Sequence, residues 1–124
     1  MKIFGQRWQY RLGNHLVQVD NAYSWRGWAQ ERLIVNGETV QETGAWFAFR
    51  RSFDEPWLTP IGEDELSVRL RSRVSGINCE AMLAGQPVEP EALFETAWTG
   101  GKGAWPGEAE WVETGGLTFG LRKR

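Results

Sequence analysis

The stretch ERLIVNGETVQE, residues 31–42, decides the fold class. Asn36-Gly37 lies between two runs with strand character, and both residues accept the positive φ that a two-residue hairpin turn requires. That turn places Val35 opposite Glu38, whereas a four-residue loop would place Val35 opposite Val40. With either turn, strand alternation puts three apolar residues on one face of the hairpin, namely Leu33, Val35 and Val40, with Ile34, Thr39 and Gln41 on the other. The stretch therefore predicts a β-hairpin.

Other alternating runs extend this interpretation along the chain. Leu66–Arg71 alternates apolar and polar residues, which is typical of a half-buried antiparallel strand. Residues 16–19 predict a short strand ending at Asp20-Asn21, and residues 23–35 predict a long strand in which Gly27 forms a bulge. Residues 50–65 predict a long acidic loop. The expected fold is all-β, a two-sheet antiparallel β-sandwich built from consecutive hairpins in one domain, residues 1–124.

Two segments interrupt the strand pattern. The apolar spacing in Pro90–Trp98 permits one or two helical turns, with the proline near the start. Residues 99–124 contain seven glycines and end in a basic run, which predicts a glycine-rich C-terminal hairpin or tail. A weak internal similarity links residues 33–40 to residues 81–88, and either duplication or a simple β-meander would produce it.

Composition limits the function classes. The chain has 124 residues and a net charge of −2, which argues against a general binder of nucleic acid or anionic membranes. The single cysteine, Cys79, excludes an internal disulfide framework and suits a reducing compartment. No apolar run resembles a signal peptide or a membrane span. We therefore expect a soluble, cytoplasmic protein.

Two groups of residues carry a family resemblance. Residues 32–40, followed by Trp46-Phe47-Ala48-Phe49, resemble the Fas apoptotic inhibitory molecule family, with its basic-apolar strand, its valine-Asn/Asp-Gly turn and its downstream tryptophan. Ser75-Gly76 and residues 80–88 are similar to the family's Ser-Gly strand and its next glycine turn. The similarity covers roughly residues 15–90. The segment from Gly37 to Trp46 is one residue longer than in the family, and the loop at 53–65 is longer and more acidic. The resemblance implies a non-enzymatic β-sandwich that acts through protein contacts, without catalytic residues.

Catalytic and metal-binding patterns are weak. His15 is the one histidine and Cys79 the one cysteine, so no metal cluster of usual spacing can be built from them. A serine-histidine triad would need His15 as its base, and no serine lies in a nucleophile-elbow context. A nucleophilic pair of Cys79 and His15 is formally possible. Cys79 lies in an apolar strand, where a thiol behaves as a small hydrophobe. We expect no catalytic residues, no metal and no cofactor. The acidic residues leave two alternatives open, a small hydrolase that uses paired carboxylates and a calcium site in the loop 54–65. The acids concerned are Asp54, Glu55, Glu63, Asp64, Glu65, Glu108, Glu110 and Glu113.

The eight tryptophans give the strongest functional indication. Trp46 and Trp98 are expected in the core. Exposed tryptophans on a sheet anchor protein partners or stack on sugars, because they offer large contact area at small entropic cost. The alternative is a purely structural role, in which the tryptophans cover the ends of the sheets. Trp28 shares a mixed face with Arg32 and Ile34, so we expect its ring to be at least partly accessible. The predicted binding residues are Trp25, Trp28, Arg32, Ile34, Trp105 and Trp111. The predicted function is protein–protein interaction, with carbohydrate binding as the alternative, and neither nucleic acid nor membrane as a partner.

Overall fold

The structure is a computed structural model that describes residues 1–46, 56–73 and 76–114. Within these ranges the chain forms ten strands and one turn of 3-10 helix, Glu108–Glu110. The strands are β1 (Lys2–Leu12), β2 (His15–Tyr23), β3 (Trp28–Val35), β4 (Glu38–Trp46), β5 (Trp57–Ile61), β6 (Asp64–Arg73), β7 (Gly76–Leu83), β8 (Gln86–Val88), β9 (Ala92–Thr99) and β10 (Val112–Glu113).

The strands form two antiparallel sheets. One has six strands in the order β10-β9-β1-β2-β3-β4, and the other has four in the order β5-β6-β7-β8. Each sheet belongs to a compact unit of its own: β1–β4 with β9 and β10 make the six-stranded unit, and β5–β8 make the four-stranded unit. The predicted all-β class with antiparallel sheets is confirmed. The single domain stays a prediction.

The hairpin at Asn36-Gly37 is confirmed. Both residues have positive φ, 51° and 86°, and Val35 lies opposite Glu38. The register then shifts at a bulge, so that Leu33 pairs with Gln41 instead of Val40. Val40, which uninterrupted alternation from the two-residue turn places opposite Leu33, instead lies at the bulge and is 41% exposed. A bulge adds one residue on one strand, which strict alternation cannot foresee.

The turn between β2 and β3 corrects two expectations. Asp20 and Asn21 do not end a strand, because β2 continues through both to Tyr23. Gly27 is not a bulge inside a long strand: it has φ 102° and closes the turn, where its N–H donates to the carbonyl of Ser24 at 2.9 Å. Judged from local sequence alone, short polar side chains such as those of Asp20 and Asn21 indicate a turn. In the folded protein, Asp20 instead has buried partners inside the sheet.

Pro90–Trp98 does not form helical turns. Most of it is β9, which pairs with β1 from Lys2↔Thr99 to Gln9↔Ala92 and also carries β10. The periodicity of a short apolar run fits a helix and a strand equally well. Here, pairing with the two neighbouring strands, β1 and β10, stabilises the strand. Among the described residues there is no α-helix.

The four-stranded sheet follows the predicted alternation. Leu66, Val68 and Leu70 on β6 are fully buried. The predicted loop 50–65 is partly wrong, because β5 occupies Trp57–Ile61 and pairs with β6. β5 is an edge strand, where Pro60 is tolerated because no ladder hydrogen bond from its nitrogen is needed. The first part of that loop and the predicted turn at Ser75 lie outside the described residues. So does the C-terminal tail beyond residue 114.

The six-stranded sheet has two chemically different faces. One face is apolar, with buried Trp8, Tyr10, Val17, Val19 and Leu33. The opposite face, called here the polar face, carries Arg7, Gln9, Gln18, Asp20, Gln30 and Arg32, whose register positions and mutual hydrogen bonds put them on the same side. The polar face positions the candidate site.

Candidate functional site

A covering segment, residues 100–114, crosses the polar face. Its backbone is held at both ends: the Gly100 N–H donates to the carbonyl of Met1 at 3.0 Å, and the Thr114 N–H donates to that of Leu93 at 2.9 Å. In between, Gln30 accepts from the Gly103 N–H at 2.9 Å and donates to the Ala104 carbonyl at 2.8 Å. The segment thereby brings its tryptophans and acids onto the sheet.

Four charged residues form a network under the covering segment. Arg7 on β1 makes two hydrogen bonds to Asp20 on β2, at 2.7 and 2.9 Å. The same guanidinium donates to both carboxylate oxygens of Glu108, at 2.7 and 3.1 Å. Arg32 on β3 donates to the second oxygen of Asp20 at 2.8 Å. Asp20 is therefore held between two arginines, and Glu108 supplies the second negative charge that two arginines require.

The pKa values follow from this arrangement. Burial by itself disfavours the charged guanidinium of Arg7, but its hydrogen bonds to Asp20 and Glu108 outweigh that effect and raise its pKa above the ordinary value. Hydrogen bonds from Arg7, helped by the positive charge of Arg7 and Arg32, lower the pKa of Glu108 below its ordinary 4.5. Both residues therefore stay charged at neutral pH, so that the ion pair persists.

Two tryptophans of the covering segment stack on these arginines. The Arg7 guanidinium lies 4.4 Å from the centre of the Trp111 ring, and the Arg32 guanidinium lies 4.3 Å from that of Trp105. The Trp105 indole N–H also donates to Glu42 on β4 at 2.7 Å. Such contacts combine cation–π attraction with exclusion of water. They close the polar face rather than leave a cleft.

A further tryptophan pair lies at the end of the same face. The Trp28 indole N–H donates to Gln30 at 2.6 Å, and its ring lies 5.3 Å from that of Trp46 at 66°. Only glycine fits at position 44, because a Cβ there would lie 2.6 Å from the Trp28 ring. The Lys102 ammonium is 6.0 Å from the Trp28 ring centre and 5.6 Å from that of Trp46. Trp28 is half-buried, as its mixed face predicts, and Trp46 is 44% exposed.

The most exposed tryptophan is in the turn between β2 and β3. Trp25 is 82% exposed, and its ring meets the edge of Tyr23 at 5.8 Å and 88°. The ring of Tyr23 lies 5.8 Å from that of Phe4. Pairing of Phe4 with Tyr23 and of Trp28 with Trp46 places all of these residues at one end of the six-stranded sheet. We call Tyr23, Trp25, Trp28 and Trp46 the aromatic end.

The structure divides the six predicted binding residues. Trp28 and Arg32 share the polar face as alternation predicts, and the structure adds Trp105 to it, but Arg32 and Trp105 contact each other. Ile34 and Trp111 are only 5% and 7% exposed, which corrects their placement on a binding surface. Ile34 pairs with Gln18 on the central part of the sheet, and the ring of Trp111 in the covering segment packs on the guanidinium of Arg7. Trp25 alone is strongly exposed.

Several residues of the site are absent from the sequence-based set. Arg7, Asp20 and Glu108 are far apart along the chain, and no spacing rule connects them. Trp46 was expected in the core and is instead exposed, because it ends the edge strand β4. Tyr23 gave no separate signal, although a tyrosine beside a tryptophan in a turn is typical of contact surfaces.

The acidic residues of the described ranges do not gather into a group that could hold a metal ion. Glu63, Asp64 and Glu65 are exposed and line a shallow depression of about 300 Å³ on the β5–β6 hairpin, beside Leu58. Across residues 1–46, 56–73 and 76–114 there is no group of three or more His, Cys, Asp or Glu side chains that could hold a metal ion. Asp54 and Glu55 lie outside these ranges, so the calcium alternative stays a prediction.

Comparisons with protein-family models, curated proteins and solved structures gave no match. The resemblance to the Fas apoptotic inhibitory molecule family therefore stays a prediction. In the part of the chain that the structure describes, no helix is long and apolar enough to span a bilayer.

Proposed function

We propose that this protein is a non-enzymatic binding module that contacts a partner protein through the aromatic end. The observation that carries the proposal is the 82% exposure of Trp25. A tryptophan ring exposed to water is unfavourable for the free protein and becomes favourable when a partner covers it. Tyr23 and Trp46 are also exposed large hydrophobic residues of the same end, so the patch extends beyond one ring.

The backbone beneath Trp25 is fixed before any partner arrives. The Ser24 N–H donates to the Trp28 carbonyl at 2.8 Å, and the Gly27 N–H donates to the Ser24 carbonyl at 2.9 Å. The Ser24 hydroxyl accepts from the Arg26 N–H at 3.1 Å. A rigid turn loses little conformational entropy on binding, which is what makes a tryptophan on it an effective anchor.

The ring geometry supports a protein partner over a sugar. Stacking on several sugar units needs aromatic rings in one flat platform, but Tyr23 and Trp25 meet at 88° and Trp28 and Trp46 meet at 66°. Rings that meet at steep angles instead leave grooves of different orientation between them, which suit the side chains of a partner protein. Carbohydrate binding remains the alternative that the experiment below must distinguish.

The charges of the polar face argue against hydrolase chemistry. A carboxylic acid that donates a proton at neutral pH needs a raised pKa, whereas the pKa of Glu108 is lowered by Arg7. Asp20 is buried and bound by two guanidiniums, so it has no free face for a substrate. The resemblance described above implies the same non-enzymatic role. The single cysteine supports a cytoplasmic location for it.

Site-specific photo-crosslinking tests the proposal. A photoreactive phenylalanine analogue placed at position 25 in cells is expected to capture a discrete partner, which is then identified and purified. The matched control carries the analogue at position 112, because Val112 is another strongly exposed apolar residue of the same unit, at 64%. A glycan array with the purified protein is expected to show no ligand.

Binding of the purified partner completes the test. Trp25→Ser is expected to weaken it by about 2 kcal/mol or more, the size of a hot-spot residue, and Val112→Ser is expected to leave it unchanged. Equal capture from both positions, or a glycan ligand lost in Trp25→Ser, would contradict a protein partner at the aromatic end.

A further inference from the structure

The aromatic end is surrounded by basic side chains. The six-stranded unit has four exposed basic residues in its described part, and three of them lie at this end: Lys2 at the start of β1, Arg26 beside Trp25, and Lys102 over Trp28 and Trp46. The fourth, Arg11, is at the opposite end, where it meets Glu91 at 3.5 Å. The distribution is uneven in a chain whose net charge is −2.

Acidic residues are distributed the other way. In the described part of this unit, none is in the turn 24–27 or within two residues of the strand ends Lys2, Tyr23, Trp28, Trp46 and Thr99. The exposed acids of this described part lie elsewhere, on β4, on β9, at Glu91 just before β9 and along the covering segment. Among these described residues the aromatic end therefore has three basic side chains and no carboxylate next to its strand ends, and such a patch attracts a partner of opposite charge.

We propose that the occupant of the aromatic end is an acidic segment of a protein, with an apolar or aromatic side chain against Trp25 and carboxylates facing Lys2, Arg26 and Lys102. This inference rests on the proposed function and specifies its partner. An anionic bilayer is the other surface that tryptophan and basic residues favour, but lipid-binding patches carry about four to eight basic residues. Three basic side chains around fixed, crossed rings fit a peptide better.

Selection from random peptides displayed on phage tests the composition of the partner without assuming a sequence. Peptides that bind the wild-type protein are expected to be rich in Asp and Glu around one apolar or aromatic residue. Their synthetic versions should bind less tightly as salt increases, because exposed charge pairs are screened. Arg26→Glu should weaken binding about tenfold, equivalent to 1.4 kcal/mol, and the combined Lys2→Glu, Arg26→Glu and Lys102→Glu variant should abolish it.

Matched controls separate charge placement from net charge and from folding. Arg11→Glu makes the same charge change at the opposite end and should leave peptide binding unchanged. All variants are compared by thermal unfolding before binding is measured. Trp25→Ser should also abolish peptide binding, because the apolar anchor is lost while the charges remain.

The outcomes distinguish this inference from the proposed function. Selected peptides that depend on Trp25 but are not acidic, and that tolerate Arg26→Glu, would overturn the acidic partner and leave protein binding intact. Stronger association with vesicles of phosphatidylcholine and phosphatidylserine than with any peptide, or the absence of any Trp25-dependent peptide, would also overturn it. The crosslinking experiment does not depend on partner composition, so its failure would instead remove the proposed function.

Discussion

The polar face and the aromatic end use the same residue type for different purposes. On the polar face, Trp105 and Trp111 belong to the covering segment and stack on Arg32 and Arg7 at 4.3 and 4.4 Å. At the aromatic end, Trp25 is 82% exposed. A tryptophan therefore supports the fold where its ring packs on the sheet and is available to a partner where its ring faces solvent. Predictions for stability should therefore be large on the polar face and small at the aromatic end.

The largest effect is expected for Arg7→Ala. Removing this side chain leaves buried Asp20 without its two hydrogen bonds from Arg7 and frees Glu108 and the Trp111 ring. Breaking a buried ion pair by deleting one partner costs about 3–5 kcal/mol. Urea unfolding should show a loss of this size in the free energy of unfolding.

The matched control is Arg11→Ala on the same strand. Arg11 is exposed, and its contact with Glu91 is 3.5 Å long, so its loss should cost less than about 0.5 kcal/mol. Similar losses for both variants would mean that the network under the covering segment does not hold the polar face.

Trp28→Ala should cost an amount of stability between the large losses expected on the polar face and the small ones expected for exposed residues of the aromatic end. The ring is half-buried and bonded to Gln30, so its removal should cost about 2 kcal/mol, below the 3–5 kcal/mol of a fully buried aromatic residue. It should also weaken partner binding by about 2 kcal/mol or more if Trp28 belongs to the hot spot. Chemical unfolding and calorimetric titration with the identified partner measure the two effects.

Gly44→Ala is the matched variant for Trp28→Ala, because it displaces the Trp28 ring without removing it. It keeps the indole but forces it to move, because the new Cβ would lie 2.6 Å from the ring. Weaker binding with an intact fold would connect ring position to recognition. A Trp28→Ala protein that fails to fold would assign the ring to the core and remove it from the binding surface.

The sequence predicted those features of the structure that depend on neighbouring residues in the chain. The Asn36-Gly37 turn follows from two residues that accept positive φ, and the shared face of Trp28, Arg32 and Ile34 follows from alternation. The bulge at Val40 depends on how β4 pairs with β3, so no local pattern contains it. The same holds for β9, where pairing with β1 and β10 overrides a spacing that also fits helical turns.

The candidate site was predictable only at the aromatic end. Trp25 stands close to Gly27, which interrupts the strand pattern, and it was among the tryptophans predicted to bind; the structure places it in the turn between β2 and β3 and not on the predicted bulged strand. The network of Arg7, Asp20 and Glu108 joins residues up to 101 positions apart, and the short carboxylate of Asp20 looked like a turn residue. Long-range ion pairs leave no periodic signal, because each partner satisfies the other only after folding.

Acid should weaken the polar face in a defined direction. The pKa of Glu108 is lowered by hydrogen bonds from Arg7, so its ionised form stabilises the folded state. That contribution is present above the ordinary pKa of about 4.5 and is lost as pH falls through the lower pKa of the folded protein. Because Glu108 is 66% exposed, solvent screening limits the contribution to about 1 kcal/mol or less.

Glu108→Gln isolates this contribution from the other carboxylates. Its free energy of unfolding should be about 1 kcal/mol or less below wild type at pH 7, and the difference should shrink as the pH falls below 4.5 and through the lowered pKa of Glu108 in the folded protein. A difference that is constant across this pH range would show that the carboxylate charge does not hold the covering segment.

The smallest effect on stability is expected for Trp25→Ser. The ring is mostly in water and contacts Tyr23 by an edge, while the turn beneath it is held by backbone and Ser24 hydrogen bonds that do not involve the indole. The free energy of unfolding should change by no more than about 0.5 kcal/mol, whereas partner binding should weaken by about 2 kcal/mol or more. Trp111→Ser should reverse this order, because the same chemical change then removes a buried ring from Arg7. Unfolding and binding measured on both variants therefore test whether the two tryptophans have different roles. A large stability loss in Trp25→Ser would show that the Trp25 ring supports the fold and is not primarily a binding residue.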